Sequence, residues 1–202
     1  MSINLMGGRI KPTKGFLLEL KKRLQFVIGG CELLTLKRDH LSKELREDIE
    51  QLEALRESLG KRLQNAYRDL LAAQMSLGPA ELDAQSASTQ GTLDVEVLPR
   101  SIMGVLVPFV KIRNRPNLKD RLGAIEYSVA KKFQELLEDL LKVAELEASI
   151  ERVADELGKT NRKVNALEKI VIPGYKQGIK MIEDRLDEDM LEEFIRTKLI
   201  RT

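Results

Sequence analysis

Apolar side chains recur every three or four residues through the last third of the chain, the spacing of a helix that buries one stripe against another helix. From Val164 this stripe continues as Leu167, Val171, Tyr175, Ile179, Ile182, Leu186, Met190 and Phe194. Upstream it runs without a break through Leu122, Ile125, Val129, Phe133, Leu136, Leu140, Val143, Leu146, Ile150, Val153 and Leu157. The pattern predicts one helix from about Asn117 onwards, and at about 1.5 Å per residue it would be roughly 120 Å long.

A second apolar stripe runs through the first third. It occupies Leu17, Leu20, Leu24, Val27, Cys31, Leu34, Leu41, Leu45, Ile49, Leu52, Leu55, Leu59, Leu63, Ala66, Leu70 and Ala73. If Arg38 takes one position, sixteen steps cover the 56 residues from Leu17 to Ala73, an average of 3.5 residues per step. That repeat predicts a left-handed coiled coil. Thr13 is the expected helix cap, and Gly78-Pro79 the expected helix end.

The segment between the two stripes has a different pattern. Residues 84–92 are small and polar, which indicates a mobile connector. Thr92 to Leu98 alternates apolar with acidic residues, and Val105 to Ile112 is apolar throughout, so the two runs predict a β-hairpin whose turn lies between Pro99 and Gly104. Pro108 cannot donate to a ladder, which places it on an edge or at a bulge.

Two long helices separated by about forty residues are expected to fold back on each other. The predicted fold is dominated by α-structure: a long antiparallel two-helix left-handed coiled coil with a small inserted β-hairpin. Its expected divisions are an amino-terminal segment at 1–12, the first helix at 13–77, the connector with the hairpin at 78–116 and the second helix at 117–202. Residues 13–77 and 117–202 would form one rod. Equal rise per residue places Leu17 opposite Tyr175 or Lys176.

The composition agrees with long solvated helices. Of the 202 residues, 43% are hydrophobic, 33% charged and 4% aromatic, with no Trp. The single Cys31 excludes an internal disulfide and fits a reducing compartment. No stretch approaches the ~20 apolar residues of a membrane span, and the amino terminus lacks a signal-peptide core. We therefore expect a cytoplasmic chain that acts at a membrane only through partners.

The formal net charge of +2 hides a strong asymmetry along the chain. Arg9 to Lys43 has nine basic and three acidic residues, whereas Glu183 to Glu193 has seven acidic and one basic. The basic segment is compatible with nucleic-acid binding. Its charges are interleaved with a buried stripe, however, and no aromatic side chain is placed to stack on a base.

No pattern indicates catalysis, a metal site or a cofactor. Gly158-Lys159-Thr160 resembles the end of a phosphate-binding loop, but Val153 stands where that motif needs glycine, and the segment lies within the heptads. His40 is the only histidine and is expected on an exposed flank. Without further histidines or a second cysteine a zinc site is implausible, and Cys31 has no evident base.

A proline interrupts the second long helix. Pro173 is followed by Gly174 and Gly178, and its missing backbone donor favours a kink. With a hairpin at the far end, the two ends of the predicted rod differ. Such a shape is typical of a part that connects two others.

With these residues in view, the chain resembles the D subunit of V-type and archaeal-type rotary ATPases, the central-stalk shaft. The amino-terminal match comprises Pro12-Thr13-Lys14, Leu18, Leu20-Lys21, Arg23-Leu24, Gly30, Leu33-Leu34 and Lys37-Arg38-Asp39. The carboxy-terminal match comprises Arg162-Lys163-Val164-Asn165-Ala166-Leu167-Glu168 and Val171-Ile172-Pro173. Lys14 departs from the arginine common in the family. The middle segment from Gly78 to Pro116 is similar to the family in its type of sequence but not in specific residues.

The resemblance implies a non-catalytic rotor subunit without cofactors that couples ATP chemistry to ion transport. Its partners would be the alternating catalytic and regulatory subunits of the ATPase ring, a small central-stalk subunit and an adaptor on the membrane rotor, with no nucleic acid and no direct membrane insertion. The protein-interface candidates within the matching strings are Arg23, Lys37, Arg38, Arg162, Asn165, Ile172 and Pro173. Two alternatives stay open from the residues alone: a coiled-coil arm that binds RNA, and a self-associating coiled-coil scaffold.

Overall fold

A computed structural model describes residues 13–88, 93–116, 118 and 122–200. The expected amino-terminal segment 1–12, residues 89–92 of the connector and the expected helix start at Asn117 lie outside the described residues. In chain order the elements are α1 (Lys14–Leu77), α2 (Pro79–Ser88), β1 (Asp94–Ile102), β2 (Val105–Asn114), α3 (Ala124–Ala166), a π-helical segment (Leu167–Val171) and α4 (Ile172–Ile200). The predicted combination of long antiparallel helices and one β-hairpin is confirmed.

The chain divides into two compact units. Unit 1 consists of the described parts of Met1–His40 and Leu157–Thr202, and unit 2 of the described parts of Leu41–Glu156. In each unit a part of α1 runs antiparallel to a part of the second long helix. Each unit therefore has its own helix pair.

Both ends of α1 follow the expected end chemistry. The Thr13 hydroxyl accepts a hydrogen bond from the Phe16 N–H at 3.3 Å, and the Thr13 carbonyl accepts one from the Leu17 N–H at 3.0 Å. The Thr13 hydroxyl thus satisfies one of the donors that lack an intrahelical partner, and its carbonyl accepts the first bond of the helix. At the other end Gly78 adopts φ +86°, a left-handed conformation that costs glycine little, and α1 stops at Leu77.

The prediction of a mobile connector at residues 84–92 is wrong for residues 84–88, which are helical. Pro79 begins the short helix α2, which continues to Ser88 and includes Ala84. Proline suits the first position of a helix because its missing N–H would have no partner there. The alanine, glutamate and leucine residues that follow favour helix, so the small side chains indicate helix rather than a loop.

Unit 1 is held together by apolar packing between the start of α1 and α4. Leu20, Tyr175, Ile179 and Ile182 form the buried cluster. Partly buried side chains surround it: Phe16, Leu17, Leu24, Val27, Val171 and Leu186. Each fully buried apolar side chain of this cluster contributes roughly 1.5–3 kcal/mol to the stability of unit 1.

Unit 2 adds polar contacts to its apolar stripe, which includes the buried Ala66, Ala73, Val129, Leu136 and Val143. Arg56 pairs with Glu147 at 2.6 Å, Arg62 pairs with Glu135 and Asp139, and Lys132 pairs with Asp69. These pairs are exposed or partly exposed, so each contributes at most about 1 kcal/mol. Because the partners fall along α3 in reverse order, they fix the antiparallel direction.

The predicted pairing register is only partly correct. Leu17 and Tyr175 do belong to one cluster, as expected. The ion pair between Lys21 and Glu183, at 2.6 Å, shows a different alignment, because the predicted register would bring Lys21 near Val171. The prediction counted back from a helix start near Asn117, whereas Leu122 and Gly123 are not helical and α3 starts at Ala124.

Several predicted stripe positions are exposed. In unit 1 these are Met190 and Phe194 of α4, and in unit 2 they are Ile49, Leu63, Ile125 and Leu140. Lys14 lines a surface cavity with Asp187 and Met190, so Phe194 lies beyond the stretch of α4 that meets the start of α1. His40 is exposed, as predicted.

The β-hairpin is longer than predicted because its turn is tighter. β1 and β2 pair antiparallel from Val95 with Ile112 to Ile102 with Val105, leaving Met103 and Gly104 as a two-residue turn. Their φ values of 50° and 82° are those of a type I′ turn. Pro99 faces Pro108. By alternation from the turn this is a non-hydrogen-bonded pair, so neither proline removes a ladder bond.

Candidate functional site

All seven predicted interface residues lie in unit 1, but they do not form one patch of free side chains. Arg23 pairs with Glu19 at 2.6 Å, and Arg38 binds the neighbouring Asp39 carboxylate at 2.9 Å. Asn165 donates to the Asn161 side chain at 3.5 Å, and Arg162 is exposed. Lys37, Ile172 and Pro173 are half-buried. Their role in an interface stays a prediction.

The proline interruption takes the form of a π-helical segment. Pro173 has no N–H to donate to the Lys169 carbonyl, and its ring crowds that oxygen. The preceding turn is widened over Leu167–Val171, and the Ile172 N–H donates to the Leu167 carbonyl, five residues back. None of the five residues in the segment is buried, and π segments of this kind are frequent at functional sites.

Exposed apolar side chains also lie on the side of α1 that faces away from the unit 1 core. We call it the outer apolar face: Leu18, Phe26, Leu33 and Leu36. With 100° per residue, each of these side chains points at least about 120° away from Leu20, the core residue of α1. Phe26 is 83% exposed. A helix face that stays in water is normally polar, so the outer apolar face indicates a covering partner.

The end of α4 carries a further set of exposed apolar side chains. They are Met190, Leu191, Phe194, Ile195, Leu199 and Ile200. Carboxylates such as Glu192 and Glu193 alternate with them, and Arg185 pairs with Glu188 at 2.8 Å. That hydrogen bond raises the pKa of Arg185. Unit 1 therefore presents uncovered apolar surface on both of its helices.

In unit 2 the hairpin is fastened along its β2 edge to one face of α3. The Arg152 guanidinium donates to the Leu106 carbonyl at 2.8 Å, and the Val110 N–H donates to the Glu145 carboxylate at 3.0 Å. Further along, Arg115 makes a bidentate pair with Glu138 at 2.7 and 3.0 Å, which raises the pKa of Arg115. Leu106 and Val110 are at non-hydrogen-bonded positions, so these backbone groups point away from β1.

The three α3 anchors are spaced by seven residues, which keeps them on one face of the helix. Glu138, Glu145 and Arg152 were not predicted as functional residues. Charged residues at this spacing on a heptad helix are usually read as a solvated face. The only sequence signal was the pairing of such a row with a nearby apolar strand that needs its edge covered.

One carboxylate of unit 2 is placed unfavourably. Asp48 lies beside the buried Ser149, whose hydroxyl donates to it at 3.5 Å. Burial raises the pKa of Asp48, with further raising by the charges of Glu44 and Glu47, while the Ser149 hydrogen bond opposes the shift. The folded protein therefore holds the Asp48 proton more tightly than the unfolded chain does.

We expect Asp48→Asn to stabilise the protein at neutral pH. A raised carboxyl pKa means that folding stability falls as pH rises from the unfolded-state pKa through the folded-state pKa, so the gain from the neutral amide should be present at pH 7 and absent at pH 3. Melting temperatures of the variant and the parent at both pH values check this. Glu50→Gln, on the exposed surface, is the control, and an equal gain in both variants would contradict the assignment to Asp48.

The string that resembles a phosphate-binding loop is helical in the structure. Gly158, Lys159 and Thr160 lie inside the continuous helix α3, where their backbone donors belong to the helix and cannot cradle phosphate. Among the residues described, no group of three or more His, Cys, Asp or Glu side chains is suited to hold a metal ion. Within those same residues, no helix has both the length and the apolar character needed to cross a membrane.

Comparison with known proteins identifies the class of complex. A relative from Pyrococcus abyssi, the D subunit of an A-type ATP synthase, is 36% identical over 203 residues, covering 96% of this chain and 94% of its own length. The A-type ATP synthase D subunits of Methanobrevibacter smithii and Methanosphaera stadtmanae are 36% and 37% identical, covering 100% and 95% of this chain and 90% and 93% of their own lengths. These relatives are components of rotary ATP synthases.

The family of ATP synthase D subunits matches residues 16–202. The chain belongs to this family. The resemblance drawn from the two terminal strings is therefore confirmed, and the chain is one component of a multi-subunit rotary ATPase. The RNA-binding and scaffold alternatives have no support in these comparisons.

Proposed function

We propose that this chain is the non-catalytic central shaft of an A-type rotary ATPase. Unit 1 would turn inside the ring of alternating catalytic and regulatory subunits. The rest of the chain would join a small central-stalk subunit and the adaptor of the membrane rotor, with the hairpin on the membrane-proximal side. The complex would hold the chain at the cytoplasmic surface of the membrane. The observation that supports this role best is the outer apolar face of unit 1.

A rotating shaft must break its contacts with one ring subunit and make equivalent contacts with the next at little cost in free energy. Apolar contact is non-directional and roughly proportional to the area removed from water. Leu18, Phe26 and Leu33 can therefore slide from one ring subunit to the next with little change in free energy. Buried ion pairs would not allow this, because breaking one leaves an uncompensated charge and costs several kcal/mol.

To couple its rotation to the conformations of the ring subunits, the shaft must also present different surfaces on its different sides. Each ring subunit would meet a different side of unit 1 and be biased towards the conformation that fits that side better. The bias equals the difference in contact free energy between conformations. Two features differ around the unit 1 helix pair: the apolar side of α1, and the widened turn before Pro173 on the second long helix.

A rotation assay tests the proposal directly. Cys31 is the only cysteine of the chain and is buried, so a cysteine introduced at the exposed Arg100 of the hairpin can be labelled selectively with a bead. With the ring of the complex fixed to glass, the bead should rotate in one direction when ATP is added. The parent chain with Cys31 alone is the labelling control. A bead that stays fixed while the ring hydrolyses ATP would refute the shaft role.

We expect the isolated chain to bind no ATP. Lys159 and Thr160 lie in helix α3, so they have no loop of backbone donors around them. Isothermal titration calorimetry of the purified chain with Mg-ATP should give no stoichiometric heat, and Lys159→Ala should behave identically. Binding that disappears in Lys159→Ala would overturn the assignment of all nucleotide chemistry to the ring.

A further inference from the structure

One row of apolar side chains on α4 is buried beside α1 and exposed beyond it. The row is Ile182, Leu186, Met190 and Phe194, and each step of four residues turns it by only about 40° around the helix. Ile182 is 1% exposed and Leu186 packs against the unit 1 core, whereas Met190 is 49% and Phe194 66% exposed. The same row is core at one end and surface at the other. Its outer part therefore indicates a covering element that the described residues do not supply.

A surface cavity of about 850 Å³ lies where the cover ends. Lys14 and Leu18 of α1 line one wall, and Lys180, Asp187 and Met190 of α4 line the other. Neither lysine forms a salt bridge within the part of the chain that the structure describes, and neither does Asp187. The cavity thus joins the apolar row to a carboxylate that can accept a cation.

We propose that the segment at 1–12 folds back over this end of α4, with its apolar side chains on Met190 and Phe194 and a basic side chain on Asp187. The contact would support the turns of α4 that α1 does not reach and would remove their apolar side chains from water. This goes beyond the shaft function and does not depend on it, because the contact belongs to the free chain.

The point at which the segment joins α1 brings it to the cavity. Thr13 caps α1, and the next residue, Lys14, lines the cavity wall. Only three peptide units separate Ile10 from Thr13, and at up to about 3.3 Å each they span about 10 Å. Along α4, Phe194 lies about 6 Å beyond Met190. Ile10 is therefore within reach of both exposed members of the row.

The end of α4 has an excess of negative charge. Between Asp184 and Glu193 it carries six carboxylates, of which Arg185 and Arg196 pair with three. The two lysines of the cavity wall offset part of the remainder. A second copy of α4 would bring like charges to the same place, which disfavours self-association there.

The segment has the complementary composition. Residues 1–12 contain Arg9 and Lys11 and no acidic residue. Their apolar members are Met1, Ile3, Leu5, Met6 and Ile10. A basic and apolar segment that starts beside an acidic and apolar surface is the occupant that needs no second molecule, so it pays no cost of association.

Photo-crosslinking in the purified chain tests the occupant. The probe p-benzoylphenylalanine replaces Phe194 or, as the control, Phe26, which is 83% exposed on the outer apolar face of the same unit. Mixing with ¹⁵N-labelled chain separates contacts within one chain from contacts between two. From Phe194 we expect cross-links to residues 1–12 of the same chain, and from Phe26 few or none. Capture of a second copy at Phe194, equal capture of the segment at both positions, or no capture at Phe194 would overturn the proposal.

Charge reversal tests the ionic part of the contact. Lys11→Glu should shift the ratio of covered to uncovered chains about fivefold towards the uncovered form, as expected when one exposed ion pair is lost, and so lower the cross-link yield at Phe194. Asp187→Lys in the same chain should restore the yield. Lys22→Glu, at an exposed position of α1, makes the same change of charge and should leave the yield unchanged. Equal losses in the two single variants, or no recovery with Asp187→Lys, would contradict the pairing. The bead assay at Arg100 reports the shaft role separately.

Discussion

Replacing Pro173 by alanine should raise the melting temperature of the free chain and lower the number of ions pumped per ATP hydrolysed. Proline inside a helix costs about 3 kcal/mol relative to alanine. In a chain of this size 1 kcal/mol moves the melting temperature by roughly 2–4 °C, so the full effect would be roughly 6–12 °C. The restored N–H can bond to the Lys169 carbonyl, and the π-helical segment Leu167–Val171 should return to α-helical geometry.

A second variant separates shape from stability. Gly158 lies inside α3, and a Cβ added there meets no atom within 4 Å beyond its chain neighbours and the backbone of its own helix. Gly158→Ala should therefore stabilise the helix by about 1 kcal/mol without altering the π-helical segment. If the geometry before Pro173 matters for coupling, pumping per ATP falls in Pro173→Ala and is unchanged in Gly158→Ala. A stabilised Pro173→Ala complex with normal coupling would show that the proline's shape is incidental.

The largest loss of stability is expected from Ile182→Ala. Ile182 is 1% exposed at the centre of the unit 1 cluster with Leu20 and Tyr175. Truncating such a side chain removes buried area and leaves a cavity, at a cost of about 2–5 kcal/mol. The urea midpoint of the free chain at 25 °C should fall accordingly with an unchanged slope, because the surface exposed on unfolding stays nearly the same.

The neighbouring residue provides the matched control for this change. Met181 is 49% exposed, and Met181→Ala should alter stability by no more than about 0.5 kcal/mol. Hydrogen exchange adds a spatial readout, because the two compact units have separate buried residues and a change in the unit 1 core should affect local opening there first. In Ile182→Ala, exchange should accelerate in α4 and the start of α1 more than in residues 41–156. Equal loss in the two variants would contradict the assigned core.

The features predicted correctly from the sequence are those that depend on local residue chemistry and on the spacing of apolar residues. Repeats of three and four residues located both helices, and the Thr13 cap and the Gly78 stop lie where their side-chain and backbone chemistry required. The family was identified from strings that coiled coils do not need, such as Asn165-Ala166-Leu167-Glu168. The left-handed supercoil stays a prediction of the 3.5-residue repeat.

The predictions of the hairpin turn and of the helix register were wrong because pairing between strands or between helices determined them, not the local sequence. Pro99 suggested a turn, yet β1 runs through it, because Pro99 pairs with Pro108 at a position where the ladder needs no donor. The turn lies instead at Met103, a residue with no strong turn preference that adopts φ 50° beside Gly104. The helix register also failed, since a seven-residue repeat fits equally well after a shift by one or more heptads.

The candidate surfaces were harder to predict than the fold. The sequence assigned Met190 and Phe194 to the buried stripe, and only the length of the pairing with α1 leaves them exposed. Leu18 and Phe26 lay off the stripe and were not predicted as contact residues, although they belong to the outer apolar face. Periodicity identifies a helix that buries one side. It does not distinguish a second apolar side that a partner covers from scattered surface leucines.

The fastening of the hairpin to α3 also bears on the chain before it joins its complex. A free strand edge is a template on which another chain can add a strand, and this leads to aggregation. Here Glu145 and Arg152 occupy the outward backbone groups of Val110 and Leu106, and Pro99 removes a donor from the outer edge of β1. Neither edge offers a long uninterrupted row of free groups. A newly made chain is thereby protected from strand-to-strand polymerisation while it waits for assembly.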